Sequence, residues 1–549
     1  MLVPSRHQPE FPLKRFLVDE RPGDEAIPLD VLFVGGGPAG LAGAIRLAQL
    51  VKADNEAGGG VGEVEIGVLE KADTLGEHCL SGAVVNPGPF RTLFPDVSDA
   101  DLPFRRKVTG ERVYWLRENG HSRIPTPAEM NNHGNYVASI CEIVRWMGDR
   151  AEGLGVNVFT GFPADALLVK GNAVAGVRTA PSGLDRDGNP GSGHMPAGDV
   201  TARVTVLSDG TRSPLARAWR EWQGVGSSNP QIYALGVKEV WKTARPLDDV
   251  IHTLGWPLPS DAFGGSWIYP MADDMISLGL VVGLDYRQQQ LDVHGLTQRL
   301  KGHPLVAPLL EGGEMLEWGA KTIPEGGYHA LPERLSGDGC VIVGDAAGLV
   351  NVAALKGIHY AVQSGILAAE SVFAALKADD CSATHLAGYD EALRSSFVLE
   401  DMHRTRNMRL AFKSGFVMGG IKAWLMSLTG GKFPGGKISG PCDADEPRVA
   451  GPVAGFKADG KTTFDKVDAV FRSGNATRDD IPSHLIAGDD VSPEAAEFYS
   501  HLCPAGVYES DDGRLVVNAP NCVDCKATDV VGPRWTPREG GSGPKYQRM

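Results

Sequence analysis

Three groups of residues in this 549-residue chain have types and spacing that could do chemistry. The first is Gly35-Gly36-Gly37-Pro38-Ala39-Gly40. In such a run Gly35 allows a tight turn, Gly37 lets backbone amides approach a pyrophosphate, and Gly40 lets a helix pack closely on a strand. The second is Gly344-Asp345-Ala346-Ala347-Gly348, with Asn351 just beyond it, a turn whose aspartate can hydrogen-bond a polyol chain. The third is Cys503 with the pair Cys522-x-x-Cys525, which is metal-ligand spacing for iron and sulfur or for zinc.

Each group needs elements to hold it. Val31 to Val34 is an unbroken apolar run, as a central parallel strand would be, and it leads through the first glycine turn into an apolar-periodic helix from Leu41. Pro38 suits the first helical turn, where no amide hydrogen is required. A second strand is expected from Val64 to Leu69, ending at Glu70, whose carboxylate could accept hydrogen bonds from an adenosine ribose. The glycine-rich stretch from Gly58 to Gly62 before it reads as a surface loop.

Cys340 to Val343 repeats the buried-strand pattern and feeds the second glycine turn, followed by a long helix containing Gly357, His359 and Gly365. In flavoproteins of the glutathione reductase type an aspartate placed like Asp345 binds the ribitol, and the next helix aims its N-terminus at the flavin pyrimidine, favouring the anionic reduced ring. The pair of motifs therefore points to FAD. His359 reads as packed or hydrogen-bonded, with no acid or base role. A short strand from Arg514 to Asn518 between the cysteines fits a small ferredoxin-like unit.

Composition bounds the partners. A formal net charge of -15, with 68 acidic against 53 basic residues, argues against nucleic acid, because phosphate binding needs clustered cations. Eight cysteines scattered through most of the chain are expected as free thiols in a reducing compartment. The acidic residues among the first thirty are wrong for a secretory signal or transit peptide, so the mature chain is expected to begin near Met1. No run of about 18 uncharged apolar residues occurs, so membrane attachment would be peripheral or monotopic.

One such attachment is legible. Val417, Ile421, Trp424, Leu425 and Leu428 recur at helical spacing, with Arg404, Arg406, Arg409, Lys413, Lys422 and Lys432 around them. This is a basic amphipathic helix, expected over 411–435 and suited to lying in a bilayer interface. Gly415, Gly419 and Gly420 weaken it intrinsically. An ordinary helix packed on a domain is the alternative.

The segments His78-Cys79-Leu80-Ser81-Gly82-Ala83, Met130 to Tyr136, Trp146-Met147-Gly148, Gly236 to Glu239, Phe263 to Ser266, Lys356-Gly357, Cys503 to Glu509 and Asn521 to Cys525 occur in order along nearly the whole chain from Leu29. Together they resemble the electron-transfer flavoprotein:ubiquinone oxidoreductase family. The resemblance implies a mixed α/β and α+β chain in three interwoven parts. These are a discontinuous glutathione-reductase-type FAD domain (29–100, 139–230, 330–410), a quinone-binding domain (101–138, 231–329) and a C-terminal ferredoxin-like iron–sulfur domain (436–549).

It also implies electron-transfer flavoprotein as donor, ubiquinone as acceptor and a membrane surface, with no general acid or nucleophile because the cofactors carry the chemistry. A bacterial inner membrane, on its cytoplasmic face, is the expected location. Ser81, Gly82, Lys356 and Gly357 join Gly35, Gly37, Gly40, Glu70, Asp345, Gly348 and Asn351 as expected FAD contacts, Gly264 and Gly265 as quinone contacts, and Cys503, Cys522 and Cys525 as cluster ligands. The hairpin region Leu102 to Pro127, which touches the bilayer in relatives, carries Arg105, Arg106, Lys107, Arg112 and Arg117 here, so its insertion is expected to be shallow.

The family pattern expects a fourth cysteine where this chain has Thr528. A 4Fe-4S cluster completed by Asp529, Asp524 or water, a 3Fe-4S cluster, an empty site, and zinc bound by His501 with the three cysteines all remain open. So do two other functions: a flavin reductase of the isoprenoid lipid reductase type, and a non-catalytic docking partner of the donor.

Overall fold

The structure is a computed structural model, and it describes residues 1–82, 84–453 and 455–549. Ala83, at the end of one family segment, lies outside the described residues. At the centre is a parallel sheet in which Ile27–Val34 runs between Ile66–Glu70 and Asp199–Leu207. Asn157–Thr160 extends it on one side and Cys340–Ile342 pairs with Asp199–Leu207 on the other. Val31 to Val34 are buried, as strands covered on both faces must be. Helix Pro38–Glu56 leaves the first glycine turn and packs on helix Ile358–Lys377, which follows the second turn.

Two boundaries differ from the sequence expectation. The second strand begins at Ile66, not Val64, because the amides of Asp30 and Val31 both donate to the Glu65 carbonyl and the regular ladder starts only beyond that point. Gly357 is the residue before the long helix and not part of it.

A second sheet is antiparallel from Glu314–Pro324 through Tyr233–Lys242, Met275–Gly283 and Gly264–Ala272 to Val250–Gly255. Val250–Gly255 then pairs in parallel with Glu111–Arg117, whose hairpin partner is Gly120–Ile124. Residues more than a hundred positions apart thus share one sheet. Inside it, Lys301 Nζ donates to Glu239 Oε1 at 3.0 Å with both side chains fully buried, and Gln298 and Trp241 donate to the same carboxylate.

The C-terminal part contains helix Pro493–Leu502, the hairpin Tyr508–Asp511 with Arg514–Val517, and the short helix Ala527–Val531. It is tied to the second sheet where the Thr322 amide donates to the Cys525 carbonyl. The last residues cross back, the Gln547 and Arg548 amides donating to Glu317 and Ser139 Oγ to the Met549 carbonyl.

The amphipathic helix is Phe416–Leu428, shorter than the expected 411–435. Gly415 adopts φ +88°, which ends the preceding turn, so Met408–Ala411 is a separate short helix. Among the described residues no helix is long and apolar enough to cross a membrane.

Candidate functional site

A cavity of about 980 Å³ runs from the first glycine turn to the amphipathic helix, at the upper end of the size range of small-molecule sites. Its near wall is the turn itself. Gly35 sits at φ +107°, and a side chain there would strike the Ser208 carbonyl at 2.6 Å. A Cβ on Gly37 would meet nothing within 4 Å, so that backbone faces open cavity. Gly40 stands behind the turn, where a Cβ would strike the Gly35 carbonyl.

Glu70 closes the strand end. Its Oε2 accepts from the Gly36 amide at 3.0 Å and its Oε1 from the Ala72 amide at 2.9 Å, which fixes the carboxylate at the cavity edge. Asp345, Ser81, Gly82, Lys356 and Gly357 line the same space. Burial pushes the Asp345 carboxyl up to about 6, opposed by Lys321, and pushes Lys356 down to about 8. Open space at Gly37 and acceptors at Glu70 and Asp345 are what an adenine dinucleotide flavin needs.

Asn351 and Gly348 hold the wall from behind. Asn351 donates to Tyr360 Oη at 2.9 Å and accepts from the Ala354 amide at 3.0 Å, folding the loop that presents Lys356. Gly348, at φ +81°, holds a left-handed backbone that disfavours any side chain, and Gln231 Nε2 packs against it. His359 is buried against Tyr360 and Phe397 and pushed down to about 3 by burial and then by Lys356, so it stays neutral. That agrees with a packing role.

Gly264 and Gly265 lie farther along the cavity beside Phe263 and Leu254. A Cβ on Gly265 would strike the Thr253 carbonyl of the neighbouring strand at 2.7 Å, so strand packing alone also demands glycine there. The far mouth is lined by Phe412, Phe416, Trp424 and Leu428, with Ile124 to Met130 opposite. Ser427 Oγ donates to Glu129 across it.

Val417, Ile421, Trp424 and Leu428 form the exposed face of the helix, while Leu425 is half-buried. Two of the basic residues assigned to its surroundings are elsewhere. Arg409 is buried, its Nε donating to Glu325 Oε2 and its Nη2 to Asp285 Oδ1, each at 2.7 Å, and its guanidinium lies over Phe263. Lys413 pairs with Glu446 and Asp285. Buried carboxylates from the second sheet's connections claim these charges. In the 102–127 region Arg105, Arg106 and Arg112 likewise pair with Glu142, Asp248 and Asp249.

Cys503, Cys522 and Cys525 converge near the second sheet. Burial raises all three thiols, Cys522 to about 12, and Cys522 and Cys525 are raised further by their cysteine neighbours. Tetrahedral zinc would hold its sulfur ligands about 4 Å apart. Among the described residues, however, the potential ligands lying within 4.8 Å of one another are His484, Cys522 and Asp524, not the cysteine trio. His501 lies among Lys466, Asp292 and Glu497. The trio is therefore more widely spaced than tetrahedral zinc requires.

Lys71, Lys321, Lys526 and Arg538 gather round Asp524, with Asp209 also beside Lys526 and Asp345 beside Lys321, and among the described residues Arg538 Nε and Nη1 find no hydrogen-bond partner. This positive excess suits anionic groups, namely thiolate-bound iron and a flavin pyrophosphate. Lys526 follows Cys525 directly and lines the cavity, as do Lys71, Lys321 and Trp535. Sequence reasoning passed over these lysines. The signal available was Lys321, the one basic residue of Glu314–Pro324.

Residues 233–323 match the family model described as "ETF-QO, ubiquinone-binding". Residues 460–547 match the one described as "Electron transfer flavoprotein-ubiquinone oxidoreductase, 4Fe-4S". The chain is similar to the mitochondrial electron transfer flavoprotein-ubiquinone oxidoreductase of Oryza sativa subsp. japonica, 37% identical over 554 residues covering 96% of this chain and 94% of the relative. It is also similar to that of Homo sapiens, 35% identical over 576 residues covering 96% and 90%. Among solved structures it shares its fold with a geranylgeranyl bacteriochlorophyll reductase-like protein of Thermoplasma acidophilum, at TM-score 0.57 and 19% identity over 74% of this chain and 92% of that one. A flavin-dependent brominase follows at TM-score 0.51 and 18% identity over 74% and 94%.

Proposed function

The chain belongs to the electron transfer flavoprotein-ubiquinone oxidoreductase family, and on that premise we propose that the single cavity described above holds both flavin and quinone. The enzyme takes electrons from reduced electron transfer flavoprotein and passes them to ubiquinone. Its FAD and 4Fe-4S cluster supply one-electron chemistry when bound, and the protein sets distance and environment. The C-terminal family match at 460–547 separates it from a lipid reductase without an iron–sulfur tail.

Gly35 and Gly37 admit the pyrophosphate, Glu70 accepts from the ribose and Asp345 from the ribitol. Ser81, Gly82, Lys356 and Gly357 lie along the rest of the flavin. Gly264 and Gly265 flank the quinone headgroup, and Phe416, Trp424 and Leu428 form an apolar mouth through which its tail leaves. The face of Val417, Ile421, Trp424 and Leu428 rests in the membrane interface. We assign 29–100, 139–230 and 330–410 to flavin binding, 101–138 and 231–329 to quinone binding, and 436–549 to the cluster.

The observation that carries this reading is the lining of one continuous cavity: nucleotide-turn glycines, Gly264 and Gly265, the exposed helix, and Lys526 next to cluster ligand Cys525. The test is anaerobic mixing of FAD-loaded, iron-replete enzyme with reduced electron transfer flavoprotein and a short-chain ubiquinone in detergent. Ubiquinol should form. Protein with both cofactors in full that yields none would end the proposal.

A further inference from the structure

We propose that the iron–sulfur cluster of this chain is held by three cysteine thiolates and leaves its fourth iron, at Thr528, to an exchangeable small ligand such as water or hydroxide. The inference rests on the family reading for the cluster itself and departs from it at this corner.

No other cysteine is placed to serve: Cys79 lines the flavin cavity among Glu70, Lys71 and Lys321. Cys141 Sγ donates to the Cys79 carbonyl at 3.3 Å, Cys340 is inside the central sheet, Cys381 lies beside Arg203, and Cys442 Sγ reaches Asp445 Oδ2 at 3.0 Å. The two carboxylates near the motif are committed. Asp524 Oδ1 accepts from Trp535 Nε1 and Arg538 Nη2, both at 3.0 Å, and its Oδ2 pairs with Lys71. Asp529 Oδ2 accepts from Arg212 Nε at 2.6 Å and its Oδ1 from the Trp535 amide at 3.1 Å. Stripping either carboxylate from its partners would leave buried Arg538 or largely buried Arg212 unpaired, which is costly.

His484 is buried with both ring nitrogens unpartnered and lies within 4.8 Å of Cys522 Sγ. That is too close to Cys522 for a separate corner of a cubane. Its charged neighbours are Arg538, Asp524 and Lys71, of which Arg538 donates to the Cys522 carbonyl, so the ring belongs to the surroundings of Cys522.

The fourth corner falls to Thr528, buried in the first turn of Ala527–Val531, three residues after Cys525. Its hydroxyl faces Tyr508, which stands close to all three cysteines and whose buried Oη has no well-directed hydrogen-bond partner. A threonine hydroxyl keeps its proton at neutral pH and competes poorly with a thiolate for iron. Two hydroxyls side by side can, however, hydrogen-bond a water or hydroxide on the metal.

An iron without a protein thiolate should be removable by mild oxidation. Ferricyanide takes one electron from [4Fe-4S]2+, and the [4Fe-4S]3+ so formed releases Fe2+ and leaves [3Fe-4S]1+, which conserves charge and atoms. The enzyme, purified anaerobically with FAD bound, is treated with ferricyanide beside a ferrous chelator and followed by iron analysis and electron paramagnetic resonance. Wild type should release about one iron per chain and gain an oxidised-state signal, both reversed by Fe2+ and dithionite. T528C, checked for folding by its FAD absorbance, should release that iron at least about tenfold more slowly.

Should T528C fail to fold, cyanide added to reduced wild type must still change its spectrum. Wild type that keeps four irons through ferricyanide, a tail that holds no iron, or H484A that releases iron faster than wild type would each overturn the open corner. Tightly held iron with normal ubiquinol formation would sink this inference alone, whereas a labile iron with no ubiquinol would sink only the proposed function.

Discussion

Trp424→Ala should weaken binding to anionic lipid vesicles about thirtyfold. Trp424 is 61% exposed, in line with Val417, Ile421 and Leu428 at 73%, 48% and 63%. A tryptophan can bury roughly 200 Å², so about 120 Å² of this ring remains to be covered, worth about 3 kcal/mol at 25 cal/mol/Å². Alanine recovers a part of that, leaving a net loss of about 2 kcal/mol, and each 1.4 kcal/mol is about tenfold in a partition constant. The assay is vesicle flotation with FAD absorbance as the fold control, repeated at high salt. Salt should weaken wild type and variant alike, because it screens Lys422 and Lys432 and does not touch the apolar term. A variant that floats within about twofold of wild type would refute the reasoning and return the helix to ordinary domain packing.

Gly37→Val should abolish FAD retention without unfolding the chain. Gly37 has φ -84°, a conformation open to any residue, and its Cβ would enter empty cavity, so FAD per chain should fall sharply while the far-ultraviolet circular dichroism is unchanged. Arg409→Met leaves Asp285 and Glu325 buried without their shared cation and should cost about 3–5 kcal/mol in chemical unfolding; a loss below about 1 kcal/mol would mean the pair is solvated. His359 is pushed down to about 3 in the folded chain against about 6.5 unfolded. Its stabilisation is therefore complete above pH 6.5 and is lost as pH falls toward 3, at up to about 1.4 kcal/mol per pH unit. His359→Asn should remove that slope, so denaturation at pH 7 and pH 5.5 should show a smaller pH effect in the variant.

The two glycine turns were legible in the sequence because their signal is local: an apolar run, glycines at fixed offsets and a periodic helix all fall within thirty residues. The cysteine trio was legible for the same reason. Arg409 was not, since a basic residue beside an apolar stripe reads as surface, and only the fold brings Asp285 and Glu325, at distant positions in the chain, to meet it. The pairing of Glu111–Arg117 with Val250–Gly255 is equally non-local. The helix boundary at Gly415 turns on one positive φ, which three nearby glycines made possible without saying which would adopt it.

The segment from Cys522 to Lys526 shows why the charges round it are tolerated. Cys522 and Cys525 stand with Cys503 beside Tyr508, Lys526 lines the cavity and donates to the Thr211 carbonyl at 3.1 Å, and Asp524 pairs with Lys71, the residue after Glu70. Lys321 of the second sheet donates to the Asp524 carbonyl at 3.2 Å. Five consecutive residues therefore touch all three parts of the chain. An ion network this buried adds little net stability over a well-packed apolar one, so its value lies in fixing position. Any slip of the loop would separate Lys71 from Asp524 and disturb Glu70 at the cavity edge, which couples the cysteine loop to the glycine-turn end of the cavity. Asp209 beside Lys526 and Asp345 beside Lys321 offset part of the cation surplus, and thiolate-bound iron and a pyrophosphate would balance the rest. His78 and His484, pushed well below their ordinary range by burial and then by Lys71 and Arg538 respectively, stay neutral there and add nothing to the excess.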